Sequence, residues 1–299
     1  MDWNSSVKGF KAFLRLEKSL SPNSIEAYLR DIAKLQQFLA YKQLSLSPEE
    51  IKLNHLRDCL KWTTELGMSL TSQARMVSGI KAFYKFLVME QVLKEDPSLM
   101  LEAPKFGRKL PDTLSIEDID ELVAAIDLSK PEGQRNKAII ETLYSCGLRV
   151  SELTGLKISD MYLSEQFIKV RGKGNKERLV PIGGKALREI AFYRDHDRVH
   201  LNIAPQDEDI LFLNRRGRKL TRVMIFTIIK QLAVKINLKK NIYPHTFRHS
   251  FATHLIEGGA DLRAVQEMLG HESITTTEIY THLDKHYLRE AIVQFHPRS

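Results

Sequence analysis

The segment Tyr243-Pro244-His245-Thr246-Phe247-Arg248-His249-Ser250-Phe251 gathers chemically capable side chains beside an apolar stripe. Pro244 suits the first turn of a helix, so His245 and Arg248, three residues apart, share one face. Phe247, Phe251 and Leu255 are the stripe such a helix would bury. Upstream, Gly147 reads as a helix stop, and Arg149 is followed three residues later by Glu152, whose carboxylate can reach back to the guanidinium. Lys173 lies between two glycines, and His271 follows Gly270. Tyr280 falls in a last helix that Ser273 can cap, running through Ile274 and Ile279. Each has an ordinary explanation when taken alone: an ion pair for Arg149, a basic hairpin tip for Lys173, a core histidine for any single His. His245 and His249 at i, i+4, with His271 and His282, have metal-ligand spacing. No H-E-x-x-H arrangement accompanies them and no Cys is near.

As a set these residues suit one reaction. Two arginines can fork onto the non-bridging oxygens of a phosphodiester and neutralise the charge that grows in a pentavalent transition state, without a metal. Histidines add hydrogen bonds to the same oxygens or move protons. A tyrosine hydroxyl can attack phosphorus and become covalently linked to it. Its ordinary pKa of about 10 means that nearby cations or a base must assist. A lysine can protonate the departing sugar oxygen.

The elements that must hold this set are mainly helical. Val7, Phe10, Phe13 and Leu14 fall at helical spacing, and Ser21-Pro22-Asn23-Ser24 breaks the chain. Ser24 is expected to cap a second helix striped by Ile25, Tyr28, Leu29, Ile32, Leu35 and Leu39. Ser47-Pro48-Glu49-Glu50 is expected to open a third, and Leu70-Thr71-Ser72-Gln73 a fourth carrying Met76, Ile80, Phe83, Tyr84 and Phe86. No strand pattern interrupts them, so residues 1–103 read as a helical bundle. Residues 104–113, with two prolines, a glycine and three basic residues, read as a linker. The second domain, residues 114–299, starts with Ser115 ahead of Glu117-Asp118 and reads as α+β with one small antiparallel sheet. Phe167–Arg171 and Arg178–Ile182 flank Gly172-Lys173-Gly174-Asn175, a hairpin pattern, and Ile210-Leu211-Phe212 reads as a further short strand. Helical patterns resume near Thr221, Gly258-Gly259 ends the helix that carries Arg248, and a short helix runs from Asp261 to Leu269, stopped by Gly270.

A chain of 299 residues is long enough for two cores, and 43% hydrophobic with 27% charged residues excludes a disordered composition. No apolar run approaches the roughly 18 residues of a membrane span, and Lys8, Lys11, Arg15 and Glu17 break up what would otherwise be a leader. Cys59 and Cys146 cannot make a disulfide framework, which fits a reduced, cytoplasmic setting. The net charge of +8 is unevenly spread: +5 over residues 1–110, −5 over 111–170, +11 over 171–250 and −3 over 251–299. Concentrated basic blocks point to a polyanionic partner, most often nucleic acid.

Taken together, the motifs resemble those of the tyrosine recombinases of the phage integrase family, in particular the Xer type. The carrying residues are Gly147-Leu148-Arg149-Val150-Ser151-Glu152-Leu153, Gly172-Lys173-Gly174-Asn175-Lys176-Glu177-Arg178, His245 to Leu255, Leu269-Gly270-His271 and Ile279-Tyr280-Thr281-His282, all in family order. The resemblance spans essentially the whole chain. It implies a SAM-like core-DNA-binding domain followed by the family's catalytic domain. It also implies Tyr280 as nucleophile forming a 3′-phosphotyrosine, and Arg149 and Arg248 as the clamp on the scissile phosphate. Lys173 would be the general acid for the 5′-oxygen, and His245 and His271 phosphate ligands that assist proton movement. Glu152 would orient Arg149, and His249 belongs to the same motif.

One phosphodiester is exchanged for another, so no cofactor or metal is expected, and no P-loop occurs. The implied partner is a double-stranded DNA target held by a homo- or hetero-tetramer on two sites, with a second Xer-type recombinase and a DNA translocase as candidate associates. The implied role is resolution of chromosome dimers at segregation. A simple mobile-element integrase, a type IB topoisomerase and a non-catalytic architectural DNA-binding protein are the alternatives. The tail beyond Lys285 is expected to contact another subunit, burying Leu288, Ile292 and Phe295 there.

Overall fold

The computed structural model describes residues 2–104, 112–172, 176–270 and 282–299, the last from Tyr287 onward in side-chain detail. The chain divides into two compact units, Met1–Lys109 and Leu110–Ser299, each with its own apolar core.

The first unit packs four helices: α1 (Trp3–Leu16), α2 (Pro22–Tyr41), α3 (Leu53–Glu65) and α4 (Leu70–Met89). Their stripes meet in an aromatic-rich core in which Phe10 lies edge-on to Phe83 at 5.3 Å and Tyr84 is fully buried. Ser21, not Ser24, caps α2: its hydroxyl accepts the Ser24 amide and Pro22 takes the first helical position. The helix expected at Ser47 is a single 3-10 turn, Pro48–Glu50. Glu50 folds back onto the Ser47 amide at 2.7 Å, and Ile51 leaves in extended conformation to bury its side chain. Gly79 lets α4 approach α2 closely, since a Cβ there would lie 2.5 Å from the Asp31 carboxylate.

The second unit contains α5 (Ile116–Ala124), α6 (Gly133–Cys146), α7 (Val150–Thr154), β1 (Met161–Tyr162), β2 (Phe167–Arg171), β3 (Glu177–Pro181), α8 (Gly184–Phe192), α9 (Arg222–Lys235), α10 (Pro244–Gly258), α11 (Leu262–Leu269) and α12 (His282–Phe295). The sheet is antiparallel in the order β1-β2-β3, with Val170 opposite Arg178. β3 begins one residue before the expected start, and the tip at 173–175 lies outside the described residues. No strand forms at Ile210-Leu211-Phe212. Ile210 makes one isolated bridge to Lys157, and the third strand is the two-residue β1, too short to leave a periodic signal.

α6 and α10 form the buried centre, with Tyr144, Phe247, Phe251 and Leu255 inaccessible to solvent. The C-terminal segment completes this core within the same chain, contrary to expectation. Leu288 and Ile292 are 1% and 2% exposed, and Phe295 packs on the same cluster. Their spacing announced an apolar face but not the surface that takes it, and here α10 and β3 supply that surface. His296 follows, its ring 4.8 Å from Tyr144 and 5.4 Å from Phe251, and Arg298 reaches Asp120 at 2.7 Å. Among the described residues no helix is long and apolar enough to cross a membrane.

Candidate active site

Three arginines from three elements converge on one buried carboxylate. α6 ends at Gly147, whose φ of 56° is left-handed, and a Cβ there would lie 2.4 Å from the Phe251 ring. Glycine is therefore required twice over, by backbone conformation and by the close approach of α10. Leu148 is buried, and Arg149 caps α7. Its amide donates to Glu152 Oε2 at 2.8 Å and its guanidinium to Oε1 at 2.9 Å. The reach predicted for positions i and i+3 is thus realised, and a third of the Arg149 side chain stays open to solvent.

Glu152 is inaccessible and holds more than Arg149. Arg178 on β3 donates through Nη1 and Nη2 to the two oxygens of the same carboxylate, at 2.8 and 3.0 Å. The Nε–H of Arg178 donates to the Met268 carbonyl at the end of α11, at 2.7 Å. Gly270 ends α11 at φ 65°, where a Cβ would press on the Arg178 stem at 3.0 Å. Arg248 on α10 joins this cluster from a third element. It donates to the Gly147 carbonyl at 2.8 Å and to the Leu269 carbonyl, and Nη1 stands 3.9 Å from Glu152.

The electrostatics follow from burial and like charge. Burial would raise the Glu152 pKa, but hydrogen bonds and charge from Arg178, then Arg149, hold it below the usual carboxylate range. Burial and the neighbouring Arg149 cation push Arg248 down to about 10, with Glu152 opposing. Arg149 repels Arg248, and the single carboxylate of Glu152 does not neutralise the arginines around it, so the layer keeps positive charge that a phosphate complements.

The structure therefore brings together Arg149, Glu152 and Arg248. His245, in the first turn of α10, and His249, one turn on, are exposed, while Arg248 between them is buried. Lys173, His271 and Tyr280 lie outside the described residues. His271 directly follows the Gly270 cap, whose flanking carbonyls Arg178 and Arg248 hold. Among the described residues no cluster of His, Cys, Asp or Glu suits a metal ion. Arg178 is the site residue that sequence reasoning did not single out. The available signal was its register: it shares strand parity with Val180, so it points inward, where an arginine requires a buried anion.

Residues 7–91 match the phage integrase N-terminal SAM-like domain, and residues 112–286 match the phage integrase family. The chain is 42% identical over 293 residues to tyrosine recombinase XerD of Staphylococcus haemolyticus, covering 98% of this chain and 99% of that protein. Among solved structures it is similar to XerH site-specific recombinase in a post-cleavage complex with palindromic difH substrate: 27% identity, 89% and 78% coverage, TM-score 0.68. It shares its fold with the Tn1549 transposon integrase bound to circular intermediate DNA, at 20% identity, 90% and 92% coverage and TM-score 0.73.

Proposed function

Because the chain belongs to the phage integrase family and is a DNA breaking-and-rejoining tyrosine recombinase, we propose that Arg149 and Arg248 clamp the scissile phosphate while Tyr280 attacks it. The phenolic oxygen of Tyr280 bonds to phosphorus and gives up its proton to His245 or His271, the P–O5′ bond breaks, and the 5′-oxygen leaves with a proton from Lys173. The 3′-phosphotyrosine keeps the energy of the broken bond, and the 5′-hydroxyl of a partner strand reverses the attack. His245 and His271 hydrogen-bond the non-bridging oxygens and assist proton movement. Glu152 orients Arg149, and His249 lies beside the clamp.

The observation that carries these assignments is the shared anchoring of Arg149 and Arg248. One sits at the N-cap of α7 and one in α10, and both are tied to Glu152 and to the Gly147 turn. A structural ion pair would use one arginine. Three arginines around one carboxylate leave positive charge over, and a phosphodiester is the anion that two guanidinium forks fit.

The enzyme acts on a double-stranded target as a homo- or hetero-tetramer on two sites, with a second Xer-type recombinase and a DNA translocase as candidate associates, and it resolves chromosome dimers. Resemblance to Xer-type chains over nearly the full length supports this housekeeping role. The deciding experiment incubates wild type and Tyr280→Phe with nicked genomic fragments, recovers covalent protein–DNA adducts and sequences them. Wild-type adducts clustered at one chromosomal locus, and none with Tyr280→Phe despite retained binding, are expected. Adducts with the phenylalanine variant would overturn the assignment of the nucleophile, and adducts confined to a mobile element would overturn the housekeeping role.

A further inference from the structure

The role of Glu152 as orienter of Arg149 leaves a charge problem. A carboxylate that binds a phosphate-clamping guanidinium also cancels it. If Arg149, Arg248 and Glu152 were the whole layer, its formal charge would be +1 at the point where a phosphodiester gains a second negative charge in the transition state. Arg178 changes that balance. Three guanidinium groups and one carboxylate sum to +2, and the two guanidinium–carboxylate contacts from β3 occupy both Glu152 oxygens.

We infer that Arg178 is a positioning residue for the recombination chemistry: its fork on Glu152 satisfies the carboxylate and aims it, so that Arg149 and Arg248 are held in place yet stay charged toward the phosphate. This rests on the function proposed above.

Three features of the geometry support the assignment. Every nitrogen of the buried Arg178 guanidinium is engaged within the protein, Nε with the Met268 carbonyl and Nη1 and Nη2 with Glu152, so it acts through a neighbour. It is itself immobilised, because its Nε–H is used by the Met268 carbonyl and its stem packs on Gly270, leaving only the Nη edge free for Glu152. And Glu152 faces Arg149 with Oε1 toward the Arg149 guanidinium and Oε2 toward the Arg149 amide, an alignment that requires the carboxylate plane to be fixed. A bidentate Arg–carboxylate pair fixes that plane, whereas a single ammonium group does not.

The test compares two substrates. One is a nicked duplex carrying the site recovered with wild-type protein. The other is the same duplex with a methylphosphonate at the scissile position, where a methyl group replaces one non-bridging oxygen and removes the negative charge. Arg178→Met and Arg178→Lys are compared with wild type for adduct-formation rate, DNA-binding midpoint and thermal unfolding midpoint. Displacing the clamp by an ångström or removing its surplus charge should slow adduct formation by about 100-fold for Arg178→Met on the normal phosphate, with binding little changed. Arg178→Lys keeps the charge and loses the fork, and should slow it by about 10-fold. On the methylphosphonate most of both losses should vanish, because a neutral centre makes less demand on guanidinium charge and aim.

A merely structural role would lower the rate on both substrates alike. Equal penalties on both, or an Arg178→Lys variant that folds and reacts like wild type on phosphate, overturns the inference alone. If Arg178→Met does not fold, the lysine variant, which retains a buried cation against Glu152, supplies the comparison. A wild-type protein that forms no adduct on any nicked DNA overturns the proposed function, and this inference with it.

Discussion

The Arg248 guanidinium donates to the carbonyl oxygen of Gly147 at 2.8 Å, so the helix bearing one site arginine is fastened to the turn that launches the other. The fastening works only because Gly147 turns left-handed directly against Phe251 on the same helix. Two strong requirements meet at one residue. Gly147→Ala should cost about 2–4 kcal/mol, from the left-handed backbone penalty plus overpacking against the Phe251 ring. Adduct formation should fall with it, because Arg149 lies two residues on. Denaturant unfolding together with a nicked-substrate assay measures both. An alanine variant of wild-type stability would show that the turn can relax away from α10.

What could be read from the sequence was what is encoded within about four residues. The helix starts at Ser115 and Asp261, the stop at Gly270 and the Arg149–Glu152 pair all join partners at most four positions apart, and each is present. Errors arose where a local signal competed with a tertiary one. Ser47 and Glu50 have the spacing of a helix start, yet burial of Ile51 ends the turn after three residues. The strand register of Arg178 marked it as inward-facing but not what it meets, because its partner, Glu152, is 26 positions away and on another element. The apolar spacing of Leu288 and Ile292 was legible, but periodicity says that a face is buried and not by whom.

His296 should make the second unit acid-sensitive. Its ring is buried between Tyr144 and Phe251, and burial, then the nearby His254 and Arg298, push its pKa down to about 3. The unfolded chain binds a proton near pH 6.5 and the folded chain does not. Stability is therefore complete above pH 6.5 and is lost as pH falls toward 3, at about 1.4 kcal/mol per pH unit from this ring. Unfolding free energies at pH 7.5 and 5 should differ less in His296→Phe than in wild type. An unchanged difference would mean that the ring becomes hydrated before it is protonated.

Asp31 should act with the opposite sign in the first unit. It is 3% exposed, with Arg75 at 2.6 Å as its ion-pair partner, and burial raises its pKa to about 6 against the pull of that arginine. A carboxyl group raised in the folded state contributes most below its unfolded pKa near 3.8, and the contribution is lost as pH rises through 6. The loss is at most about 3 kcal/mol. Asp31→Asn should therefore match wild type near pH 4 and exceed it in stability at pH 7. An asparagine variant weaker at both pH values would show that the Arg75 pair outweighs the cost of burying the charge.

The tail offers a test of whether a buried ion pair stabilises this fold or only avoids a worse state. Glu141 in α6 is wholly inaccessible, and its carboxylate lies 3.4 Å from Arg298 and 3.5 Å from Lys185. Burial raises its pKa in spite of both cations. Arg298 is itself buried and is held on its outer side by Asp120 at 2.7 Å. Removing the guanidinium strands Glu141 with one ammonium group, so Arg298→Met should cost about 3 kcal/mol. Neutralising the stranded acid should recover most of that: Glu141→Gln/Arg298→Met is expected to be more stable than Arg298→Met alone, although it carries one more substitution. The coupling from the full double-mutant cycle should exceed about 1 kcal/mol, since the two groups are in contact. Strict additivity would instead mean that Asp120 carries the energetic weight of Arg298, and that the C-terminus is held from its solvent side and not from the core.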